Sequence, residues 1–327
     1  MGGEEGEKND VPPLQELRAC LLDRAQPIGK RTHSAFFLRT LGSAEAVSAV
    51  GEALLVETDS ALLRHELAYI LGQMQNEAAC ETLEKVLRNT SDDCMVRHEA
   101  AEALGAIGAG SSVTVLEHFA SDPAPEVSQT CQLALDLIAW RRNQQGAGEG
   151  SKQVKGASGA NPYLSVDPAP SCGEGGGEGE GEGAAGQEEG GEEGQGTEEM
   201  GRRLRDKDRT LFERYRAMFS LRNRGGEAAA LELASAFDGE DNSLFKHEVA
   251  YVLGQMQHPV TVTALGTVLA DLGEHQMVRH EAAEALGAIG GEKAEGLLKT
   301  FMEDDVAAVK ESCEVALDTM DYWSSRA

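Results

Sequence analysis

Aromatic residues, long apolar runs and positive charge are all scarce in this chain. Phe, Trp and Tyr make up 5 % of its 327 residues, which with abundant Ala and Leu suits thin stacked helices better than a large aromatic core. No run approaches the roughly 20 consecutive apolar residues that span a bilayer, so no membrane segment is expected. The N-terminus MGGEEGEKND has no apolar core of a secretory signal. Position 6 is Gly rather than Ser or Thr, which argues against myristoylation at Gly2. Six cysteines, at 20, 80, 94, 131, 172 and 313, form no Cys-x-x-Cys pair. That spacing fits free thiols in a reducing cytosol, not a disulfide framework or a zinc knuckle, and a cytoplasmic location is expected. Lys and Arg number 29 against 56 acidic residues, a net charge of −27. Such an excess argues against nucleic-acid binding and for solubility, or for a cationic partner.

What the chain does have is a copy of itself. MVRHEAAEALGAIG from Met95 recurs unchanged from Met277, and RHELAYILGQMQ from Arg64 pairs with KHEVAYVLGQMQ from Lys246, both offset by 182 residues. CQLALD at Cys131 pairs with CEVALD at Cys313 at the same offset; upstream, FFLR ending at Arg39 matches FSLR ending at Arg222, one residue further. Between the copies lies a Gly/Glu-rich stretch, and Ser171 to Met200 holds ten Glu and no Lys or Arg. Residues 144–201 therefore read as a disordered linker, with too little apolar surface to order itself and a span of about 40 Å as a flexible chain, enough for one half to face the other. The expected domains are a tail and short helix at 1–24, one half at 25–143, the linker at 144–201 and the second half at 202–327.

Inside each half His65 to His98 is 33 residues, and so is His247 to His280. A repeat of that length predicts helical hairpins stacked into an all-α solenoid of the HEAT kind, about four hairpins per half. Helix starts are expected at Ser60, Asp93 and Ser243, whose side chains can cap free N–H groups. With each His at position zero, apolar residues fall at +2, +5, +6 and +9, for example Leu67, Ile70, Leu71 and Met74. At 100° per residue they form one stripe on the side opposite the His. Position +3 is Ala and position +7 is Gly in all four motifs. These small residues are expected to keep the His face clear for an approaching ligand; the other reading is close packing of a neighbouring helix. The bases before the histidines, Arg64, Arg97, Lys246 and Arg279, are expected in outward salt bridges. Glu102 and Glu284, at +4, are either acceptors orienting their histidines or solvated.

Four of the eight histidines precede Glu. Imidazoles and carboxylates one repeat apart, on helices about 8–10 Å apart, make a credible metal set. Each half then supplies a half-site, and a dinuclear centre needs both. Spacing alone does not say which Glu binds metal.

The four His-Glu pairs on a duplicated HEAT-like solenoid closely resemble the deoxyhypusine hydroxylase family, over nearly the whole chain apart from the tail and linker. The resemblance implies O2-dependent hydroxylation of deoxyhypusine to hypusine on translation initiation factor five-A, with two Fe(II) ions as cofactor and O2 as co-substrate. It implies that His65, His98 and Glu99 hold one iron and His247, His280 and Glu281 the other. Glu66 and Glu248 would then receive the cationic amines of the substrate. Competing readings are a non-catalytic HEAT-repeat scaffold, including the bilin-lyase type, and a zinc or manganese hydrolase on the same His-Glu sites.

Overall fold

The computed structural model describes residues 11–146, 163–172 and 192–324. The tail at 1–10 and the linker stretches at 147–162 and 173–191 lie outside the described residues. Each half is four hairpins, as the repeat length predicts. The first half contains α1 (Leu14–Leu22) with α2 (Ile28–Leu41), α3 (Ala44–Val56) with α4 (Ala61–Gln73), α5 (Cys80–Arg88) with α6 (Cys94–Ile107), and α7 (Val113–Phe119) with α8 (Pro125–Gly146). The second contains α9 (Glu192–Arg205) with α10 (Leu211–Arg224), α11 (Gly226–Ala234) with α12 (Ser243–Met256), α13 (Val262–Ala270) with α14 (Gln276–Ile289), and α15 (Glu292–Thr300) with α16 (Ala307–Ser324). Among the described residues no helix is long and apolar enough to cross a membrane.

The ends of these helices follow from local chemistry. Ser60 accepts from Leu63 N and Asp93 from Met95 N, so both predicted caps form. Ser243 is the first helical residue instead; the Asn242 carboxamide, one position earlier, accepts from Phe245 N. Gly42 and Gly108 end α2 and α6 at φ 61° and 73°, where a Cβ is strained.

Even-numbered helices form the inner layer, each packed on the next even-numbered helix, and the odd-numbered ones lie outside. The inner layer closes on itself, because α8 packs on α10 and α12 while α16 packs on α2 and α4. The predicted stripe faces the core of each half: Leu67, Ile70 and Leu71 on α4, like Val249, Val252 and Leu253 on α12, have no exposed surface. Each such side chain contributes about 1.5–3 kcal/mol by leaving water. Met95 and Leu133 of the first half belong to the apolar cluster of the second, so the halves are docked through side chains.

The glycines at +7 serve that packing. A Cβ on Gly105 would lie 2.9 Å from Ala134 Cα, and one on Gly72 2.7 Å from Ala103 Cα. Gly254 and Gly287 meet Ala285 and Ala316 in the same way. Of the two readings of the +7 glycines, close packing of a neighbouring helix holds for all four, while Gly254 and Gly287 also line a cavity. Neighbouring inner helices approach until backbone nears backbone, and only Gly permits it. This offsets the cost of about 1 kcal/mol that Gly carries inside a helix.

The expectation for the bases preceding the histidines is corrected. Arg97 and Arg279 are buried. Arg97 Nε donates to Leu87 O, at the end of the preceding outer helix, and its guanidinium pairs with Asp122 at 2.5 Å. Arg279 does the same with Leu269 O and Asp304. Arg64 pairs with Asp92 and Lys246 with Glu274. Arg64 Nε likewise donates to Leu54 O at 3.4 Å, so each of the three arginines ties an outer helix to the next loop, and the carboxylate offsets the cost of burying the charge.

Two pieces of the stretch read as linker are placed. Residues 192–201 begin α9, and 163–172 form an extended strap. Gln73 clamps the strap backbone, donating to Val166 O and accepting from Val166 N, and Asp167 pairs with Arg222 at 2.5 Å.

Candidate metal centre

Helices α4, α6, α12 and α14 carry the four His-Glu motifs, and ring closure brings their polar faces together. A stripe opposite the core of one half points at the same stripe of the other half. The histidines are therefore buried, with exposures from 0 to 4 %. Their rings make a closed quadrilateral: His65 to His98 5.4 Å, His98 to His247 5.2 Å, His247 to His280 5.4 Å and His280 to His65 5.0 Å between centroids. The expectation that the His face stands opposite its own core holds; the other half covers it.

Around the rings lies a cavity of about 520 Å³ lined by six carboxylates, Glu66, Glu99, Glu102, Glu248, Glu281 and Glu284. Arg39 is the cation on its wall. Donor atoms of His65, His98 and Glu99 all lie within 4.8 Å of one another, so the first expected trio gathers. In the second half the trio gathered at that distance is His280, Glu281 and Glu284, and a third, His65, His247 and His280, crosses between halves. His247 still reaches its expected neighbour, with Nε2 3.3 Å from Glu281 Oε2. Glu284 is also 3.5 Å from His280 Nδ1 and accepts from Ser312 Oγ at 3.1 Å, which bears on the orienting role considered for it.

The polar atoms test whether a metal fits here. Both ring nitrogens of His98, His247 and His280, with His65 Nε2 and Glu248 Oε1, are buried without a hydrogen-bond partner. A buried polar atom left unmatched costs about 1–3 kcal/mol, and eight in one place point to a ligand that takes lone pairs. Burial, then the neighbouring imidazoles, holds His98 and His247 well below the usual imidazole range, and burial and His65 do so for His280. A neutral imidazole is the ligating form. His65 runs the other way: burial alone would lower it, but Glu66 and Glu99 outweigh burial and raise it well above. Glu66 Oε1 lies 3.1 Å from His65 Nδ1 and leaves Nε2 aimed at the cluster. Burial, then Glu102, raises Glu248 well above the usual carboxylate range; burial, then Glu284, does so for Glu281. A divalent metal or an ammonium group beside these carboxylates would favour their charged forms. The residue set fits a metal centre.

Spacing did not signal the contact that crosses between halves at the cavity wall. Tyr69 and Tyr251, both at +4 of their motifs, meet hydroxyl to hydroxyl at 3.0 Å, and Gln255 donates to Tyr251. Their shared offset of 182 was the available signal.

Comparison with known proteins decides between the chemistries that such a centre allows. The HEAT-repeat family pattern matches residues 52–136 and 230–318. Deoxyhypusine hydroxylase of Danio rerio is 44 % identical over 312 residues, 95 % of this chain and 93 % of the relative. The Homo sapiens enzyme is 45 % identical over 317 residues, 96 % and 93 % of the two chains. The chain belongs to the deoxyhypusine hydroxylase family. The structure of human deoxyhypusine hydroxylase in complex with glycerol is similar throughout, with a TM-score of 0.80 at 43 % identity, covering 94 % of this chain and 96 % of that one. Deoxyhypusine hydroxylase chemistry is oxidative. A bare scaffold leaves the eight unmatched polar atoms of the quadrilateral without a purpose.

Proposed function

We propose that this chain hydroxylates the deoxyhypusine side chain of translation initiation factor five-A, in the cytoplasm, with two Fe(II) ions held in the His-Glu quadrilateral. The single observation that carries the metal reading is the four buried imidazoles with seven unmatched ring nitrogens, a donor set that nothing in the protein satisfies. His65, His98 and Glu99 would hold one ion and His247, His280 and Glu281 the other. Bound there, the ions supply O2 activation. Hydroxylation places one oxygen atom in a substrate C–H bond and reduces the other to water, with two electrons from an external reductant.

The chain's own groups bind and orient. Deoxyhypusine carries two amines, and the cavity offers six carboxylates around them. Glu248, with an unmatched buried oxygen, is positioned to accept an ammonium N–H. Glu66 shares the task through the oxygen not committed to His65, and its hydrogen bond keeps the His65 ring turned so that Nε2 faces the metal. Enclosure by the two halves excludes bulk water, which strengthens both ion pairs and donor bonds.

The test is metal content of the purified chain together with mass spectrometry of deoxyhypusine-bearing factor before and after aerobic incubation. Two irons per chain and gain of one oxygen atom support the reading. An iron-loaded chain that leaves the factor unchanged would defeat it, and zinc in place of iron, after growth with ample iron, would turn it toward hydrolysis.

A further inference from the structure

The inner ring closes at two seams, α16 against α2 and α8 against α10. The duplication makes them counterparts: α2 corresponds to α10 at an offset of 183, and α8 to α16 at 182. The structure verifies both alignments. Arg31 and Arg214 hold Leu21 O and Leu204 O and pair with Glu57 and Glu240. Gly105 and Gly287 abut Ala134 and Ala316.

The contents of the two seams differ. At α8/α10 sit Tyr215, Leu133 and Leu137, all buried, with the Tyr215 hydroxyl donating to Leu244 O at 3.2 Å. Their counterparts at α2/α16 are Thr32, Val315 and Thr319. These smaller side chains line the His-Glu cavity and also a second cavity of about 330 Å³, which runs outward between Phe36, Phe37 and Tyr322 to the exposed Thr40. The two cavities share the walls Thr32, Phe36, Val315 and Thr319 and so lie in line between the surface and the quadrilateral. Thr32 Oγ1, buried in its wall, has no hydrogen-bond partner.

The strap marks the other seam. Cys172 N donates to Ser220 Oγ at 2.7 Å, Arg216 Nε donates to Pro170 O at 3.3 Å, and Asp167 occupies Arg222. The counterparts of Ser220, Arg216 and Arg222 are Phe37, His33 and Arg39, and they border the two cavities. Arg39 makes no ion pair among the described residues. One seam is thus filled by larger side chains and overlaid by the chain's own segment; at the other, smaller side chains leave a cavity, bridged only where His33 Nε2 lies 3.4 Å from Thr319 Oγ1 and the His33 ring 5.3 Å from that of Tyr322.

We infer that the aminobutyl-lysine arm of the protein substrate enters through the α2/α16 seam, with Thr32, Val315 and Thr319 setting the width of the passage. The inference rests on the proposed function. Because the arm is covalently part of a folded protein, it must be threaded from outside, and entry at this seam fixes the side on which that protein docks. The outer walls are hydroxyl and apolar groups with the His33 ring, and the carboxylates, with Arg39, line the inner cavity. An alkyl chain therefore slides past the outer walls until its amines meet the carboxylates.

The test rewrites the open seam in the residues of the closed one. Iron-loaded Thr32→Tyr/Val315→Leu/Thr319→Leu is compared with wild type in steady-state kinetics on deoxyhypusine-bearing factor, with iron measured per chain. The expected result is a fall of about tenfold or more in kcat/KM with wild-type iron content. Unchanged kcat/KM with full iron would overturn the inference. Should the triple variant lose iron or fail to fold, Thr319→Leu alone, at a half-buried position, decides by the same readings. Arg216→Ala, which frees the strap at Pro170, is expected to leave kcat/KM within about twofold. A large loss there, with the α2/α16 variants silent, would place the route at the other seam. A wild-type chain with iron that never modifies the factor indicts the functional reading instead, so the two failures are distinguishable.

Discussion

Helices α4 and α12 carry nearly the same twelve residues, yet their carboxylates sit in different states. Glu66 is 3.1 Å from His65 Nδ1, whereas Glu248 leaves an oxygen buried and unmatched and His247 Nδ1, the nitrogen turned away from Glu281, has no partner. The seams repeat the lesson, with Tyr215 filling one and Thr32 lining a cavity in the other. Duplication copied the donors faithfully, but each copy faces a surface that is not a copy. Symmetry in ligand supply therefore coexists with asymmetry in how substrate and polar partners are placed, and one centre can bind two like ions and one unlike substrate.

Removing a donor breaks that symmetry most severely. His98→Ala is expected to abolish hydroxylation and to lower iron by about one ion per chain, measured by metal analysis alongside circular dichroism to show the helices intact. Retained activity would count against both half-sites. The Glu pair sharpens the comparison next. Glu248→Ala is expected to raise KM for the factor by about tenfold or more at full iron content, whereas Glu66→Ala, which also releases His65, loses iron as well. Identical behaviour of the two variants would show that the difference between Glu66 and Glu248 has no functional weight.

Stability changes are smaller in consequence. Arg97→Met leaves Asp122 buried without its cation and is expected to cost about 3–5 kcal/mol in denaturant unfolding. Burial alone would raise the Asp122 pKa, but the hydrogen bonds from Arg97 and Ala124 N and the Arg97 charge together outweigh it and hold the group below the usual carboxylate range. This pair thus stabilises the fold at pH above about 4, the unfolded value, and the contribution is lost as pH falls through the lower folded value. Arg97→Met should flatten that part of the acid-unfolding curve. Gly105→Ala pushes a methyl to 2.9 Å from Ala134 Cα, and Gly254→Ala only to 3.0 Å from Ala285 Cα. Expected losses are about 1–3 kcal/mol for the first and less for the second, read as a shift in Tm. The smallest effect separates the tyrosines. Tyr69→Phe removes one hydroxyl while Tyr251 keeps Gln255, at about 1 kcal/mol or less; Tyr251→Phe takes the partner of Tyr69 and one of the three partners of Gln255 and costs more.

Much of the fold was legible because it is local and periodic. The 33-residue spacing, the stripe at +2, +5, +6 and +9, and the caps at Ser60 and Asp93 act within one or two hairpins, where helix geometry alone sets which residues meet. Ser243 was one residue out because Asn242, also a good cap, reaches Phe245 N first. Three features involve a neighbour that a helical wheel does not contain. The +7 glycines answer to the adjacent inner helix, Arg97 and Arg279 answer to a loop one repeat on, and the His face answers to the other half. The strap belongs here too. Asp167, Gln73 and Arg222 are far apart in sequence, and a composition-based reading of 144–201 is blind to ten residues that pair with two folded halves.

By itself, then, the sequence determined the duplication, the helical repeat, the residue types of the centre and, through resemblance, the chemistry that those types perform. These follow from order along the chain and from side-chain identity. Only the tertiary structure decided that four polar stripes close into one buried quadrilateral, that Glu66 and Glu248 differ, and that one seam is filled while its counterpart holds a cavity. Those depend on how two halves dock. Docking is fixed by shape and burial across surfaces about 180 residues apart in the chain, where periodicity carries no information.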